Sequence, residues 1–289
     1  VGSEMCIRDR CLAVVNFYTE EGESPRAPRE AAPDALALPG ALAAASRTST
    51  AEVRYEAIEQ VCAAGNAVPG GEAQHRHAYP VVENTPQAWF PVRGKDAWAE
   101  QPRFVTSVLQ RRSRRNFVPV PMPTSQAMHL MQSLCMNRGQ AGDEGAAYGG
   151  CMAPGFAATG IEAFDRGIYL LDTHEETYAM VSGGSSGEDV ARACLDQAWL
   201  KNGSLHFLFM ANLRRIDRQL GARGYRYAML NAGRAGQRIY LAATALGFGA
   251  CGIGAIYDDE AHKMLSLNDD SALLYLVTVG ITKSESRIN

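Results

Sequence analysis

The feature that most limits the possible folds is the stretch from Tyr225 to Leu246, which keeps a helical pattern longer than any other part of the chain. Arg226, Asn231, Arg234, Gln237 and Arg238 interrupt its apolar residues, so it reads as a helix of a globular core and not as a membrane span. Gly233 and Gly236, together with Ala232, Ala235, Ala242 and Ala243, give it a surface of small residues. Such a surface lets a neighbour come close, either inside the same core or at a subunit interface. The helix leads into Gly247–Gly254, read as a glycine-rich turn, then into a short helix from Asp258 to Leu265 and a buried strand from Leu273 to Val279.

Upstream, Phe104, Val105, Val108 and Leu109 share one helical face, and Pro123-Thr124-Ser125 opens a second helix through His129 to about Cys135. Asn137–Gly150 is rich in glycine and reads as a loop. Gly167–Asp172 and Ser204–Met210 read as strands. Glu188–Leu200 reads as an amphipathic helix with Val190, Ala191, Cys194, Leu195 and Ala198 turned inward. The strands are few and widely spaced, which favours a layered α+β domain over a doubly wound parallel sheet. No G-x-G-x-x-G follows a strand and no G-x-x-x-x-G-K-[ST] occurs, so neither a Rossmann domain nor a P-loop is expected.

Three segments are expected along the chain. VGSEMCIRDR at Val1–Arg10 resembles a translated sequencing adaptor, and the Ala-, Pro- and Ser-rich residues that follow read as disordered or loosely helical, so 1–50 stands apart from the fold. Residues 51–102 read as an N-terminal extension packed on the main domain. Ser49 or Thr50 caps a helix from Ala51 to about Ala64, and Pro69, Pro80, Pro86 and Pro91 break what comes next. Trp89, Phe90 and Trp98 suggest that this part packs against something. Residues 103–289 form the main domain, long enough for one sizeable core.

The formal net charge of −3 gives no overall pull toward nucleic acid or acidic membranes, and neither is an expected partner. The 7 cysteines are odd in number and form no C-x-x-C pair. Free, buried thiols in a reducing cytoplasm are therefore expected. His75 and His77 have no cysteine at ligand spacing, and no metal is expected.

Two short segments offer chemistry. Arg111-Arg112-Ser113-Arg114-Arg115 gathers four guanidinium groups around one hydroxyl. Arginine grips phosphate oxygens bidentately and serine adds a hydrogen bond, although the same run also suits a solvated basic patch or a nucleic-acid contact. Gly247-Phe248-Gly249-Ala250-Cys251-Gly252-Ile253-Gly254-Ala255 lets backbone approach a flat ring, as a flavin requires, or simply makes a tight turn. Tyr225, Tyr227 and His206 are candidate general acids, and each also suits a core position.

Taken together with the long helix, these segments resemble the nitroreductase superfamily, most closely its SagB-type dehydrogenase branch, over about Arg103 to Lys283. The stretch RGYRYAMLNAGRAGQRIYLAATALGFGACGIGAIYDDEAHKMLSL, followed by LLYLVTVG, carries most of the likeness, and R-R-S-x-R is shared more widely. The resemblance implies an α+β fold of three layers with a central, mainly antiparallel or mixed sheet flanked by helices. It implies an FMN-dependent homodimer with flavin at the subunit interface and NAD(P)H as a possible electron donor. Arg111, Arg112, Ser113 and Arg115 match the motif that holds the FMN phosphate, ribityl chain and ring edge. Gly252, Ile253, Gly254 and Ala255 match the segment against the isoalloxazine, and Lys283 and Arg287 fall where a second phosphate contact is found.

The chain departs from the branch in four places, one of them a strand that the resemblance implies is shortened to Gly155–Thr159. Tyr148–Pro154 lacks the serine of an S-x-G-x-x-x-P motif. Gln219-Leu220 stands where azoline-oxidising members carry Lys-Tyr, and Asn231 stands at a commonly acidic position. The functions weighed from the resemblance are a peptide-maturation dehydrogenase and a general NAD(P)H-dependent reductase of nitro compounds or quinones. A non-catalytic flavin- or peptide-binding partner is the third reading.

Overall fold

The computed structural model describes residues 55–64, 80–92, 104–135 and 150–283. By internal contacts the chain divides into two units, Val1–Glu59 and Gln60–Asn289. The readings made for the adaptor-like start, the residues up to Thr50, the first turn of the helix at Ala51, Trp98, the loop from Asn137 and Arg287 lie outside the described residues. Helix α1 (Glu56–Ala64) opens the description.

The second unit is built on a seven-stranded sheet. Its strands are β1 (Phe90–Pro91), β2 (Ala153–Ala158), β3 (Gly167–Asp172), β4 (Thr177–Gly183), β5 (Leu205–Asn212), β6 (Gly249–Ile253) and β7 (Ser271–Gly280), in the order β1-β4-β3-β2-β5-β7-β6. Every strand ladder is antiparallel. The fold is therefore α+β with an antiparallel sheet. Helices follow the same chain order: α2 (Phe104–Gln110), α3 (Thr124–Cys135), α4 (Gly187–Ala193), α5 (Leu213–Leu220), α6 (Arg223–Ala245) and α7 (Asp258–Leu265).

Side chains alternate across a strand, so each strand feeds both faces of the sheet. Leu205, Phe207 and Phe209 of β5 join Phe156, Tyr169, Val277 and Val279 in one apolar layer, covered by α3 and α6. Leu208 and Met210 join Ile168, Leu273 and Leu276 in a second layer, covered by α4 and α7. All eight residues of β5 are buried, as expected for the strand between β2 and β7. The small residues of α6 are part of this packing: Ala228, Ala232, Gly236 and Ala243 are buried. A Cβ on Gly236 would lie 2.6 Å from the Tyr275 ring.

Two sequence readings change. The helix read as Glu188–Leu200 ends at Ala193, because Leu195 and Asp196 take positive φ of 57° and 53° and turn the chain into a 3-10 segment at Ala198–Asn202. Ala198 is exposed in consequence. The stretch read as a turn at Gly247–Gly254 turns only at Gly247, where φ is 79°, and then forms edge strand β6 against β7. Strands β1 and β4 had no counterpart in the sequence reading.

Residues 80–92 fasten to both sides of this unit. Asn212 and Asn268 each donate a side-chain hydrogen bond to the Pro80 carbonyl, and Val82 bridges Leu267. At the far edge β1 pairs with β4, and the Phe90 and Tyr178 ring centroids lie 5.9 Å apart. Trp89 and Phe90 stay partly open, at 38% and 52% exposure.

Candidate functional site

Edge strand β6 brings the two chemical segments together. After α2 ends, the arginine segment runs along the free edge of β6. Ser113 bridges Ala250 in parallel sense, and the Arg114 amide donates to the Ala250 carbonyl at 2.8 Å. The chain then continues past the end of β7, where Phe117 bridges Thr282 and the Val118 amide donates to Ile281. Lys283 is drawn in at the same place. Its amide donates to the Asn116 carbonyl at 3.0 Å, and Asn116 Nδ2 donates to the Lys283 carbonyl at 3.2 Å. Residues far apart in sequence thus share one corner of the molecule.

The basic side chains do not all point the same way. The Arg111 guanidinium lies 5.4 Å from the centroid of the Tyr240 ring, and Tyr240 belongs to the layer under α6. The Arg115 guanidinium lies 5.8 Å from the Trp199 ring, which packs against the opposite layer. Trp199 in turn stacks on Phe117 at 6.0 Å. Arg112 folds back on its own backbone and donates to the carbonyls of Leu109 and Arg111. Both ring contacts hold a cation at the surface over an aromatic face, within the ~6 Å range where such attraction counts.

Along the glycine segment each position differs. A Cβ on Gly252 would lie 1.7 Å from the Tyr275 hydroxyl oxygen, so only glycine fits there. Ile253 is buried in the layer under α7. Gly254 is exposed, with open space where a Cβ would be, and Ala255 is partly buried. The Gly252 amide donates to Tyr240 Oη at 2.6 Å, and the same oxygen hydrogen-bonds Ser113 Oγ at 3.0 Å. Burial pushes the Tyr275 phenol up to about 12, with Tyr240 and Cys251 adding to the rise.

Of the candidate acids, His206 is fully buried on β5. It sits between Thr159 Oγ1 at 3.0 Å from its Nε2 and Thr278 Oγ1 at 2.9 Å from its Nδ1. Desolvation lowers its pKa to about 3, which keeps the ring neutral and makes it a core group. Tyr227 packs beside α5 under the Arg223 guanidinium, whereas Tyr225 is 41% exposed. Tyr240, Trp199 and Asn116 escaped the sequence reading. One signal for Tyr240 was available: it stands four residues beyond Gly236, on the same face of α6.

The fold agrees with what is found in known proteins. The sequence model of the Nitroreductase family matches residues 108–281, more than half of the chain. This chain belongs to the nitroreductase family. A Methanocaldococcus jannaschii protein named as a nitroreductase is 24% identical over 178 residues, covering 61% of this chain and 90% of that protein. Two solved structures named as nitroreductases share the fold. One, from Anabaena variabilis, has a TM-score of 0.61 at 20% identity and covers 75% of this chain. This chain spans only 45% of that protein's length. The other, from Ralstonia eutropha, has a TM-score of 0.55 at 20% identity and covers 71% of this chain and 95% of its own. Family membership makes the chain a nitroreductase-family oxidoreductase. Among the described residues no helix is long and apolar enough to cross a membrane, and no cluster of His, Cys, Asp and Glu is arranged to hold a metal ion.

Proposed function

We propose that this corner binds FMN and that the protein is an FMN-dependent oxidoreductase of the SagB-type kind. The observation that carries this reading is the docking of the arginine segment along β6, through Ser113 and Arg114 on Ala250. It brings the backbone of the arginine segment beside a stretch that is bare at Gly254, which supports the reading. The residues fit the group. Arg111, Arg112, Ser113, Arg115 and Lys283 are the residues that would hold the phosphate and ribityl chain. In the segment Gly252, Ile253, Gly254 and Ala255, the backbone is open at Gly254, where an isoalloxazine ring would approach, while Gly252 and Ile253 pack inward. Arg287 follows Lys283 closely in sequence and joins the proposal on that ground.

The chemistry FMN supplies when bound is two-electron transfer between a donor and an acceptor that visit in turn. The protein's share is to hold the phosphate end by charge and to present backbone to the ring. Between the two enzymatic readings, NAD(P)H-dependent reduction of a nitro compound or quinone is favoured over azoline oxidation in peptide maturation. Gln219 and Leu220 close α5 where a Lys-Tyr pair would serve proton transfer, and Leu220 is buried at 3% exposure. We extend the proposal to a homodimer, supported by the apolar residues that α2 and α6 expose. A reducing, cytoplasmic setting is supported by the buried thiols of Cys151, Cys194 and Cys251.

The test is steady-state kinetics of the FMN-loaded protein with NADPH or NADH and a quinone or nitroaromatic. Parallel lines in double-reciprocal plots are expected, as for a donor and acceptor sharing one site. Turnover that requires both substrates bound together, or no oxidation of either nicotinamide, overturns the reading.

A further inference from the structure

We propose that Tyr240 is a positioning residue that clamps the arginine segment and the glycine segment of the site into one geometry. The inference rests on the FMN reading above but is drawn from contacts within this chain.

Two outward-facing backbone positions matter on the free edge of β6. Residues two apart on a strand face the same side, so Ala250 and Gly252 present their polar groups together. At Ala250 the carbonyl is taken by the Arg114 amide at 2.8 Å. At Gly252 the amide is taken by a side chain, Tyr240 Oη, at 2.6 Å. Tyr240 thus replaces a strand partner at the point where the arginine segment leaves the edge. Its hydroxyl reaches back to that segment through Ser113 Oγ at 3.0 Å, and its ring lies under the Arg111 guanidinium at 5.4 Å.

Tyr240 itself is fixed. It is 8% exposed, packs in the layer under α6, and stands in the middle of the last turns of a 23-residue helix. The Tyr275 hydroxyl occupies the space a side chain on Gly252 would need. One phenol therefore holds the Gly252 amide while a second supports its Cα. Gly254, two residues on, inherits its place from Gly252. The single hydroxyl of Tyr240 sets the spacing between the basic end of the site and its glycine end.

The experiment compares wild type with Tyr240→Phe, which keeps the ring and its packing and removes only the hydroxyl. Amide hydrogen exchange is measured without FMN, and FMN affinity is measured by titration. The Gly252 amide is expected to exchange about tenfold faster in Tyr240→Phe, since its acceptor is gone, while amides of β5 keep their protection. FMN is expected to bind about tenfold more weakly, with the flavin visible spectrum shifted in the variant. Wild-type exchange at Gly252 together with wild-type FMN affinity overturns the clamp. If wild type itself retains no FMN, the FMN reading fails, and the Gly252 exchange rate alone decides whether the clamp exists. Should Tyr240→Phe fail to fold, Ser113→Ala takes its place: faster exchange of the Arg114 amide supports the clamp, and unchanged exchange overturns it.

Discussion

Gly252 has no room for a side chain, because a Cβ there would meet the Tyr275 hydroxyl at 1.7 Å. Gly252→Ala is expected to cost about 1–3 kcal/mol, the usual range for overpacking, and Tyr275→Phe in the same chain is expected to recover part of it. Denaturant unfolding of the three variants checks both. His206 makes a prediction of a different kind. Burial holds its folded pKa near 3, below the ordinary value of 6.5. The unfolded chain takes up a proton at His206 below pH ~6.5, and the folded chain does not, so stability complete above that pH is lost as pH falls toward 3. Its ring resonances are expected to report the neutral form at pH 5. The unfolding free energy is expected to drop by about 1.4 kcal/mol per pH unit from this group over the window. A ring that titrates near 6.5 in the folded protein contradicts the assignment. At this scale the arginine and glycine segments were legible in the sequence, since their residue types state their chemistry. Tyr240 and Trp199 were not, because a tyrosine in an alanine-rich helix and a tryptophan after an amphipathic run both look like core. Only the fold shows what lies over their rings.

Helix α4 shows how an element reaches the site. Ser186 caps it, accepting from the Asp189 amide, while the Asp189 carboxylate accepts from the Ser186 amide. Hydrogen bonds donated to it by the Ser186 amide first, and then by the Ser186 hydroxyl, hold the Asp189 carboxyl below its ordinary pKa. The capped helix is followed at once by the left-handed residues Leu195 and Asp196 and then by the 3-10 segment that carries Trp199 under Arg115. Ser186→Ala is expected to cost about 1 kcal/mol by denaturant unfolding. It is also expected to loosen Trp199, read as a change in its fluorescence; an unchanged midpoint and emission would contradict this. The long helix, α7 and strand β7 were legible from periodicity. The break after Ala193 was not, because the apolar residues keep a helical spacing through Leu200 even though the backbone does not. Edge strand β6 was masked by its glycines, which disfavour strands in general but are required here by Tyr275 at Gly252 and by Thr282 and Arg114 at Gly249.

For the whole molecule, the helical face read at Phe104, Val105, Val108 and Leu109 does form, but it points outward. These residues are 71%, 66%, 40% and 68% exposed. On α6, Tyr225, Met229 and Leu230 add 41%, 38% and 45%. Sequence periodicity identifies an apolar face without saying whether the same chain covers it. Apolar surface of this kind marks an interaction site, in keeping with the proposed homodimer. Val105→Glu with Leu109→Glu is expected to yield a monomer in analytical ultracentrifugation where wild type sediments as a dimer; the same mass for both contradicts it. The central claim, that the corner made by β6 and the arginine segment holds FMN, is tested most directly by the visible spectrum. Purified protein is mixed with FMN and then desalted. Wild type is expected to keep the absorption of bound oxidised flavin, and the Arg111→Ala, Arg115→Ala variant to lose it while remaining folded. A folded wild type that emerges colourless, or a double variant that holds flavin as tightly as wild type, would contradict the claim.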